Sequence, residues 1–178
     1  MEKRKEYDNE GNKIFVGEYL NGKRNGKGKI YGYGGQLLFD GEFLNGEKNG
    51  KGKEYSMSCL NFSFEEGFEG LINEDENERA IINLIFEGEY LNGKKHGKGK
   101  DFDDSGKLLF EGEYLKGKKW NGKEYAYNDS QIIFEGEYLN GKIWNVKGYN
   151  IKNNTKYELK EGKGFYKEYN RDTLLYEG

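Results

Sequence analysis

The sequence predicts an all-β fold, an elongated and twisted single antiparallel sheet of repeated β-hairpins. The first observation is a period of about 24 residues, because a unit that opens with an aromatic residue recurs at Phe15, Phe39, Phe86, Phe110 and Phe134. The second is an Asn-Gly pair at a fixed place in most units, and the third is strict alternation of residue types before it. A fixed period of this length indicates units that stack on their neighbours.

The whole chain, residues 1–178, is therefore predicted to form one array. Clear repeats are expected at 15–38, 39–61, 86–109, 110–133 and 134–156, degenerate repeats at 62–85 and 157–175, and partial units at both ends. Because the array starts and stops within a unit, we expect open edge strands, which could pair end to end or laterally in a homo-oligomer.

Each unit is predicted to be a hairpin because Asn-Gly tolerates positive φ at both central positions of a type I′ turn. The pairs are Asn21-Gly22, Asn45-Gly46, Asn92-Gly93 and Asn140-Gly141, while Lys116-Gly117 keeps only the glycine. Between units, the stretch from Asp103 to Lys107 has the composition of a second turn. Hairpin therefore follows hairpin in a meander.

Alternation along the first strand of a unit separates two kinds of side chain. In the third clear unit, one face receives Phe86, Gly88 and Tyr90, and the other receives Glu87, Glu89 and Leu91. Glycine weakens a strand, so its recurrence suggests that a ring from an adjacent strand covers it. We expect one face to be a trough paved with Phe and Tyr, and the other to be a ladder of Glu and Lys.

The unit at 62–85 departs from the pattern. It retains alternating apolar residues, but residues 73–78 replace its turn with an acidic run. We interpret it as a decayed hairpin with an acidic tip, and a short helix over 75–83 is the alternative. The acidic tip is either a docking element for a basic partner or a solvated loop.

Two tryptophans mark the last two clear units. Trp120 and Trp144 stand where earlier units carry Asn25, Asn49 and His96, and both units are one residue shorter. They either form an exposed aromatic patch that binds a partner, since Trp is enriched at binding hot spots, or fill the space that the deletion leaves.

Composition excludes several classes of function. The 29 basic and 32 acidic residues are interleaved, with a net charge of -3, which argues against nucleic-acid binding. A single cysteine and a single histidine give neither a disulfide nor a His/Cys metal cluster. No catalytic constellation or cofactor motif is present, so we expect no enzyme. Without an apolar span or signal peptide, a cytoplasmic protein is expected.

The Gly-Glu-Tyr strand, the Asn-Gly turn and the Gly-Lys-Gly return together resemble MORN repeats (membrane occupation and recognition nexus). The similarity extends over nearly the whole chain, with departures at 62–85 and in the two Trp-bearing units. The resemblance implies a non-catalytic all-β module. Such arrays serve as scaffolds and membrane-proximal adaptors of junctions, cytoskeleton and cilia, or as regulatory segments of larger enzymes, and related hairpin repeats occur in bacterial antitoxin-like proteins.

The leading functional hypothesis is an interaction scaffold that holds a protein partner, a peptide or a helix, along the aromatic trough. The expected partner-binding residues are Tyr90, Tyr114 and Tyr138 in the trough, together with Trp120 and Trp144.

A lipid-binding module is the main alternative, peripheral to a membrane or the cytoskeleton. Its anionic phospholipid would be bound by lysines near each turn, such as Lys94, Lys95, Lys98 and Lys100, or by Lys23, Arg24, Lys27 and Lys29. Each basic residue near an anionic surface contributes about 1 kcal/mol. Carboxylates at Glu87, Glu89 and Asp101 lie close by in the sequence, however, and favour a solvated charged face.

Overall fold

The computed structural model describes residues 1–58, 81–127, 131–150, 155–163, 167–170 and 173–177. All regular secondary structure in these ranges is β. The strands are β1 (Glu2–Tyr7), β2 (Lys13–Leu20), β3 (Lys23–Tyr31), β4 (Leu37–Leu44), β5 (Glu47–Ser58), β6 (Ile81–Leu91), β7 (Lys94–Phe102), β8 (Leu108–Leu115), β9 (Lys118–Tyr125), β10 (Ile132–Leu139), β11 (Lys142–Asn150), β12 (Thr155–Leu159), β13 (Lys167–Asn170) and β14 (Thr173–Glu177). The described part of the chain offers no helix that is long and apolar enough to cross a bilayer.

The sheet follows the chain. Strands β1 to β12 form one antiparallel sheet in sequence order, and β13 pairs with β14 in a separate two-stranded sheet. The predicted all-β meander of hairpins is confirmed. One difference from the expectation is that β13 and β14 do not extend the twelve-stranded sheet within the described residues.

The hairpin turns have the predicted left-handed backbone. Asn92 and Gly93 have φ values of 49° and 76°, and Lys116 adopts 53° at the place that other units give to asparagine. The turn glycine also joins successive hairpins, because the Gly93 N–H donates to the Lys48 carbonyl at 2.9 Å. Gly46 and Gly117 make the same bond to the hairpin before theirs. These bonds join the first four turns, and we call the edge of the sheet along which all the turns lie the turn edge.

Two of the loops that follow return strands are fixed by aspartate side chains. Asp103 accepts hydrogen bonds from the backbone N–H groups of Ser105 at 2.8 Å and Lys107 at 2.9 Å. Burial alone would raise the pKa of Asp103, but these bonds and that from the Ser105 hydroxyl outweigh burial and lower the pKa. Asp8 closes the first loop in the same way through Asn12. These are Asx-type turns, in which the aspartate carboxylate accepts hydrogen bonds from backbone N–H groups where the β-ladder ends.

Aromatic rings on one face form the core. Phe86 is fully buried, and its ring meets Tyr90 of its own strand at 5.5 Å and Tyr114 of β8 at 5.4 Å between centroids. Both contacts are edge-to-face, the arrangement that aromatic quadrupoles favour. Phe15, Phe39 and Phe110 repeat the pattern, so the rings interlock in one chain along the sheet.

Glycines pair with glycines across this sheet. The line runs through Gly17, Gly28, Gly41, Gly52, Gly88, Gly99, Gly112, Gly122 and Gly136. A Cβ on Gly88 would lie 2.6 Å from the ring of Phe86, two residues earlier on the same strand. The ring over Gly88 thus comes from its own strand, whereas the expectation placed it on an adjacent strand. Gly99 is the glycine covered from neighbouring strands, by Phe86 and Tyr114.

The middle of the array breaks the period. β5 pairs directly with β6, and their ladder continues to Ser58 and Ile81, so these two strands are neighbours in the sheet. Most of the expected hairpin at 62–85, with its acidic tip, lies outside the described residues. Residues 81–85 are strand rather than helix, because they extend β6.

Near its end the sheet changes register by two residues. Val146 occupies the glycine line and pairs with Leu159, and both are buried with Phe134. An even shift keeps every side chain on its face. A turn with φ of 52° at Glu161 and 68° at Gly162 follows, within the stretch that was expected to be a degenerate repeat.

Candidate functional site

The charged face carries one continuous groove of about 1000 Å³. Its lining comes from eight consecutive strands, β3 to β10, with glycines in the middle and charged residues on both sides. Residues at these middle positions direct their side-chain positions to the aromatic face, so the floor between the two walls is backbone. The floor glycines are Gly41, Gly52, Gly88, Gly99, Gly112 and Gly122.

The two walls of the groove alternate in sign from strand to strand. The return-side wall, farther from the turns, is Asp40, Lys53, Glu87, Lys100, Glu111, Lys123 and Glu135. The turn-side wall is Lys27, Glu42, Lys51, Glu89, Lys98, Glu113 and Asn121. Cross-strand pairs such as Lys100 with Glu111, at 3.1 Å, connect neighbours, but their side chains remain about half exposed. Such pairs contribute roughly 0 to 1 kcal/mol each, so they leave the charges accessible.

The turn-side glutamates also shape the strands. In the ladder between β6 and β7, Gly88 pairs with Gly99 and Tyr90 pairs with Lys95. Glu89, between them, therefore lies opposite three residues of β7. Its carboxylate accepts the Lys98 N–H inside this bulge at 3.3 Å. Glu18 and Glu42 accept the equivalent N–H groups. The recurring glutamate is thus part of the bulge as well as part of the groove wall.

The aromatic face is closed. Tyr90, Tyr114 and Tyr138 are only 3% to 5% exposed, so the expected trough is filled by its own rings. Burial, with neighbouring carboxylates as a second cause, raises the pKa of all three phenols. Their partner-binding role stays a prediction, and the geometry gives them a place in the core.

Cations cover the rings of the aromatic face. The Lys95 ammonium lies 3.8 Å from the centroid of Phe86 and bonds to Asp101 at 3.0 Å. Arg24, Lys48 and Lys119 lie in the same way over Phe15, Phe39 and Phe110. A cation over a ring contributes about 0.5 to 2 kcal/mol, depending on its desolvation. The single sheet therefore has no bare apolar face here.

This arrangement divides the lysines that the sequence grouped as a lipid site. Lys95 covers the aromatic face, whereas Lys98 and Lys100 line the groove on the opposite face. Arg24 is likewise separated from Lys27. Neither group forms one basic patch.

The tryptophans occupy equivalent bulges on adjacent hairpins. Trp120 is the one residue of β9 that has no partner on β8 within the bulge, and Trp144 is the equivalent residue of β11 relative to β10. One tryptophan thus replaces the Asn-Gly or His-Gly of earlier bulges, which explains the shorter units. Trp120 is 47% exposed. Trp144 is partly buried, with its ring 3.3 Å from the position of a Cβ on Gly162.

One further feature was not singled out from the sequence. Five leucines that precede the turns are 40% to 48% exposed along the turn edge. Their signal was present in the repeated Leu-Asn-Gly and Leu-Lys-Gly triplets. Among the described residues, no group of His, Cys, Asp and Glu could hold a metal ion.

Consecutive hairpins with nearest-neighbour pairing, a shared ring stack and a common glycine line define an open-sheet β-hairpin repeat protein. The family model for the MORN repeat matches residues 15–36, 39–58 and 86–100. The chain carries MORN repeats in these stretches, and its hairpins β8–β9 and β10–β11 continue the same architecture beyond them. No curated protein matches it.

Proposed function

We propose that this protein is a non-catalytic scaffold that holds an extended segment of a partner protein along the groove. The continuity of the groove over eight strands carries the proposal. Binding moves from the expected aromatic trough to the opposite face, because the trough is filled by its own rings. The bare glycine floor lets a partner backbone approach closely, and accessible charges stand on both sides.

The walls indicate what kind of segment fits. Strands lie about 4.8 Å apart, so charges of one sign recur along a wall every ~9.6 Å. A peptide in the extended polyproline II conformation rises about 3.1 Å per residue with three residues per turn, so every third side chain returns to the same side after ~9.3 Å. A segment with mixed charges at three-residue spacing would place each side chain near an opposite charge. Specificity would come from this pattern more than from net charge.

Site-specific photo-cross-linking tests the proposal. A photoreactive amino acid replaces Lys51 or Lys98 in the groove, and the matched control carries it at Lys107, in an exposed loop outside the groove. After irradiation in native lysate, mass spectrometry maps the cross-linked segment of the partner. We expect one partner segment from both groove positions and none from the control. Equal labelling from all three positions would refute a groove-bound partner.

Charge reversal supplies the second arm. Lys51→Glu with Lys98→Glu inverts two positions of the turn-side wall without touching the buried rings. Cross-linking from a third groove position, Lys123, should then fall by about tenfold or more, since like-charge contacts are costly. Unchanged cross-linking in a folded variant would exclude a role for the walls.

The anionic lipid alternative has weaker support. The lysines assigned to it lie on two faces, and those in the groove alternate with carboxylates. Flotation with anionic vesicles at physiological salt tests it directly.

A further inference from the structure

The five exposed leucines form a single line along the turn edge. They are Leu20, Leu44, Leu91, Leu115 and Leu139, and we call them the leucine line. Each lies two residues beyond a turn-side glutamate on the same strand, so alternation places it on the charged face. The line contributes nothing to the lining of the groove. It is therefore a second surface, distinct from the proposed groove.

Mostly basic side chains separate the leucines. Each leucine is paired across its turn with the first residue of the next strand, and paired residues share a face. These residues are Lys23, Glu47, Lys94, Lys118 and Lys142, all exposed. None of the four lysines has a carboxylate within ion-pair distance in the described ranges. The line thus alternates leucine with unpaired positive charge, except at Glu47.

The spacing of this line matches an α-helix laid along the turn edge. Leucines recur every two strands, about 9.6 Å, and seven residues of helix rise ~10.5 Å. A lysine stands half a step after most leucines, at ~4.8 Å, and half a heptad rises ~5.2 Å. Helices that dock on such surfaces use anchors at i, i+3 or i+4, and i+7.

Charge selects among the possible occupants. A second copy of this chain would bring lysines against lysines. An anionic bilayer would meet the carboxylates of Glu18, Glu42, Glu89, Glu113 and Glu137, each two residues from a leucine on the same face. A helix is narrow enough that acidic residues on one side of it contact the lysines, while its other side faces the glutamates.

We propose that the leucine line binds an amphipathic α-helix of a partner protein. The helix carries an apolar residue at every seventh position and an acidic residue midway between them. This binding goes beyond the proposed scaffold function, since it uses none of the groove residues.

The test uses the full chain and a defined probe. The probe is a fluorescent four-heptad peptide with leucine at the first and glutamate at the fourth position of each heptad, and a matched peptide has lysine in place of glutamate. Fluorescence anisotropy gives both affinities. We expect the acidic peptide to bind at least tenfold more tightly. Equal binding, or tighter binding of the basic peptide, would overturn the proposal.

Variants of one strand provide a matched control. Leu91 and Ile82 both belong to β6 and are both 45% exposed, but only Leu91 lies at the turn edge. Leu91→Ser should weaken binding roughly fivefold, the effect of losing the remaining half of a leucine's burial. Adding Leu115→Ser should bring the loss to about 25-fold, while Ile82→Ser leaves affinity unchanged. Equal losses from Ile82→Ser and Leu91→Ser would refute the leucine line.

Charge-reversal variants distinguish helix binding at the leucine line from lipid binding there and from partner binding in the groove. Lys94→Glu with Lys118→Glu should invert the preference, so that the basic peptide binds more tightly. Photo-cross-linking from Lys51 should be unaffected, so the proposal for the groove and the proposal for the leucine line are tested independently. If wild type ignores the peptides but floats with anionic vesicles in a manner that needs Leu91, the occupant is a bilayer and the helix proposal is wrong.

Discussion

Tyr114 donates its phenol hydrogen to the carboxylate of Asp101 on the neighbouring strand. The equivalent positions two hairpins earlier are Phe43, which is buried in the aromatic core, and Ile30, which packs against that core. The chain thus uses tyrosine where the preceding strand offers a carboxylate, and phenylalanine where it offers isoleucine. Asp101→Ile alone leaves the buried hydroxyl without this acceptor, which costs about 1 to 3 kcal/mol.

Adding Tyr114→Phe to Asp101→Ile should recover about 1 kcal/mol or more, because the double variant reproduces the Phe43 and Ile30 pair. Lys95 retains Glu54, at 4.0 Å, as a second carboxylate. Urea unfolding of the four chains of the cycle measures the coupling. A double variant no more stable than Asp101→Ile would contradict this account.

Gly88→Ala should destabilise the sheet by about 1 to 3 kcal/mol. The new Cβ would lie 2.6 Å from both the Lys98 carbonyl oxygen and the Phe86 ring, and neither can move freely. Gly34→Ala is the control, because its Cβ would meet only the end of the Gln36 side chain, at 3.0 Å. Denaturant midpoints give both values, and equal effects would mean that close packing over the glycine line is unimportant.

Lys116→Asn should stabilise the protein by about 0.5 to 1 kcal/mol. Lys116 holds φ at 53° in a turn that four other units build with asparagine, and asparagine adopts this conformation at lower cost than lysine. Thermal unfolding measures the gain. Lys118→Asn changes the same charge outside the left-handed position and should bring no gain.

Trp144→Ala should destabilise more than Trp120→Ala. The Trp144 ring packs against the turn at Gly162, whereas Trp120 is about half exposed. Each variant keeps one tryptophan, so iodide quenching reports on the other. Quenching should be stronger in Trp144→Ala, which retains the exposed Trp120. The reverse order would contradict the greater exposure of Trp120.

Asp103 should make the protein sensitive to acid. Its folded pKa lies below the ordinary value of 3.8, so its stabilising effect is complete above that value and is lost as pH falls through the folded pKa. The stability difference between wild type and Asp103→Asn should therefore shrink between about pH 6 and about pH 2.5. A carbon-detected NMR titration of the Asp103 carboxyl checks the direction of the shift, and a midpoint above 3.8 would contradict it.

The hairpins could be predicted because their signals are local. Asn92-Gly93 specifies its turn, and alternation from Phe86 to Leu91 assigns the faces. The closed core could not be predicted, because it depends on packing between units. Phe86 contacts Tyr114 of the next hairpin, and Lys95 covers both rings only after the strands pair. Sequence spacing could not show that the trough fills itself.

The groove could not be predicted, because it forms only when eight strands pair and bring their charged residues into two rows. The recurring glycine makes room for the rings of the opposite face. The turn at Glu161-Gly162 was missed because glutamate seldom adopts positive φ. The direct pairing of β5 with β6 was hidden because the step from Phe39 to Phe86 is close to two periods.

Every strand of the twelve-stranded sheet pairs only with strands adjacent in the sequence. Duplication of one 24-residue stretch of the gene would therefore add two strands and one more segment of groove, without disturbing a contact elsewhere. The reach of this protein along a partner can thus evolve in whole steps of about 10 Å.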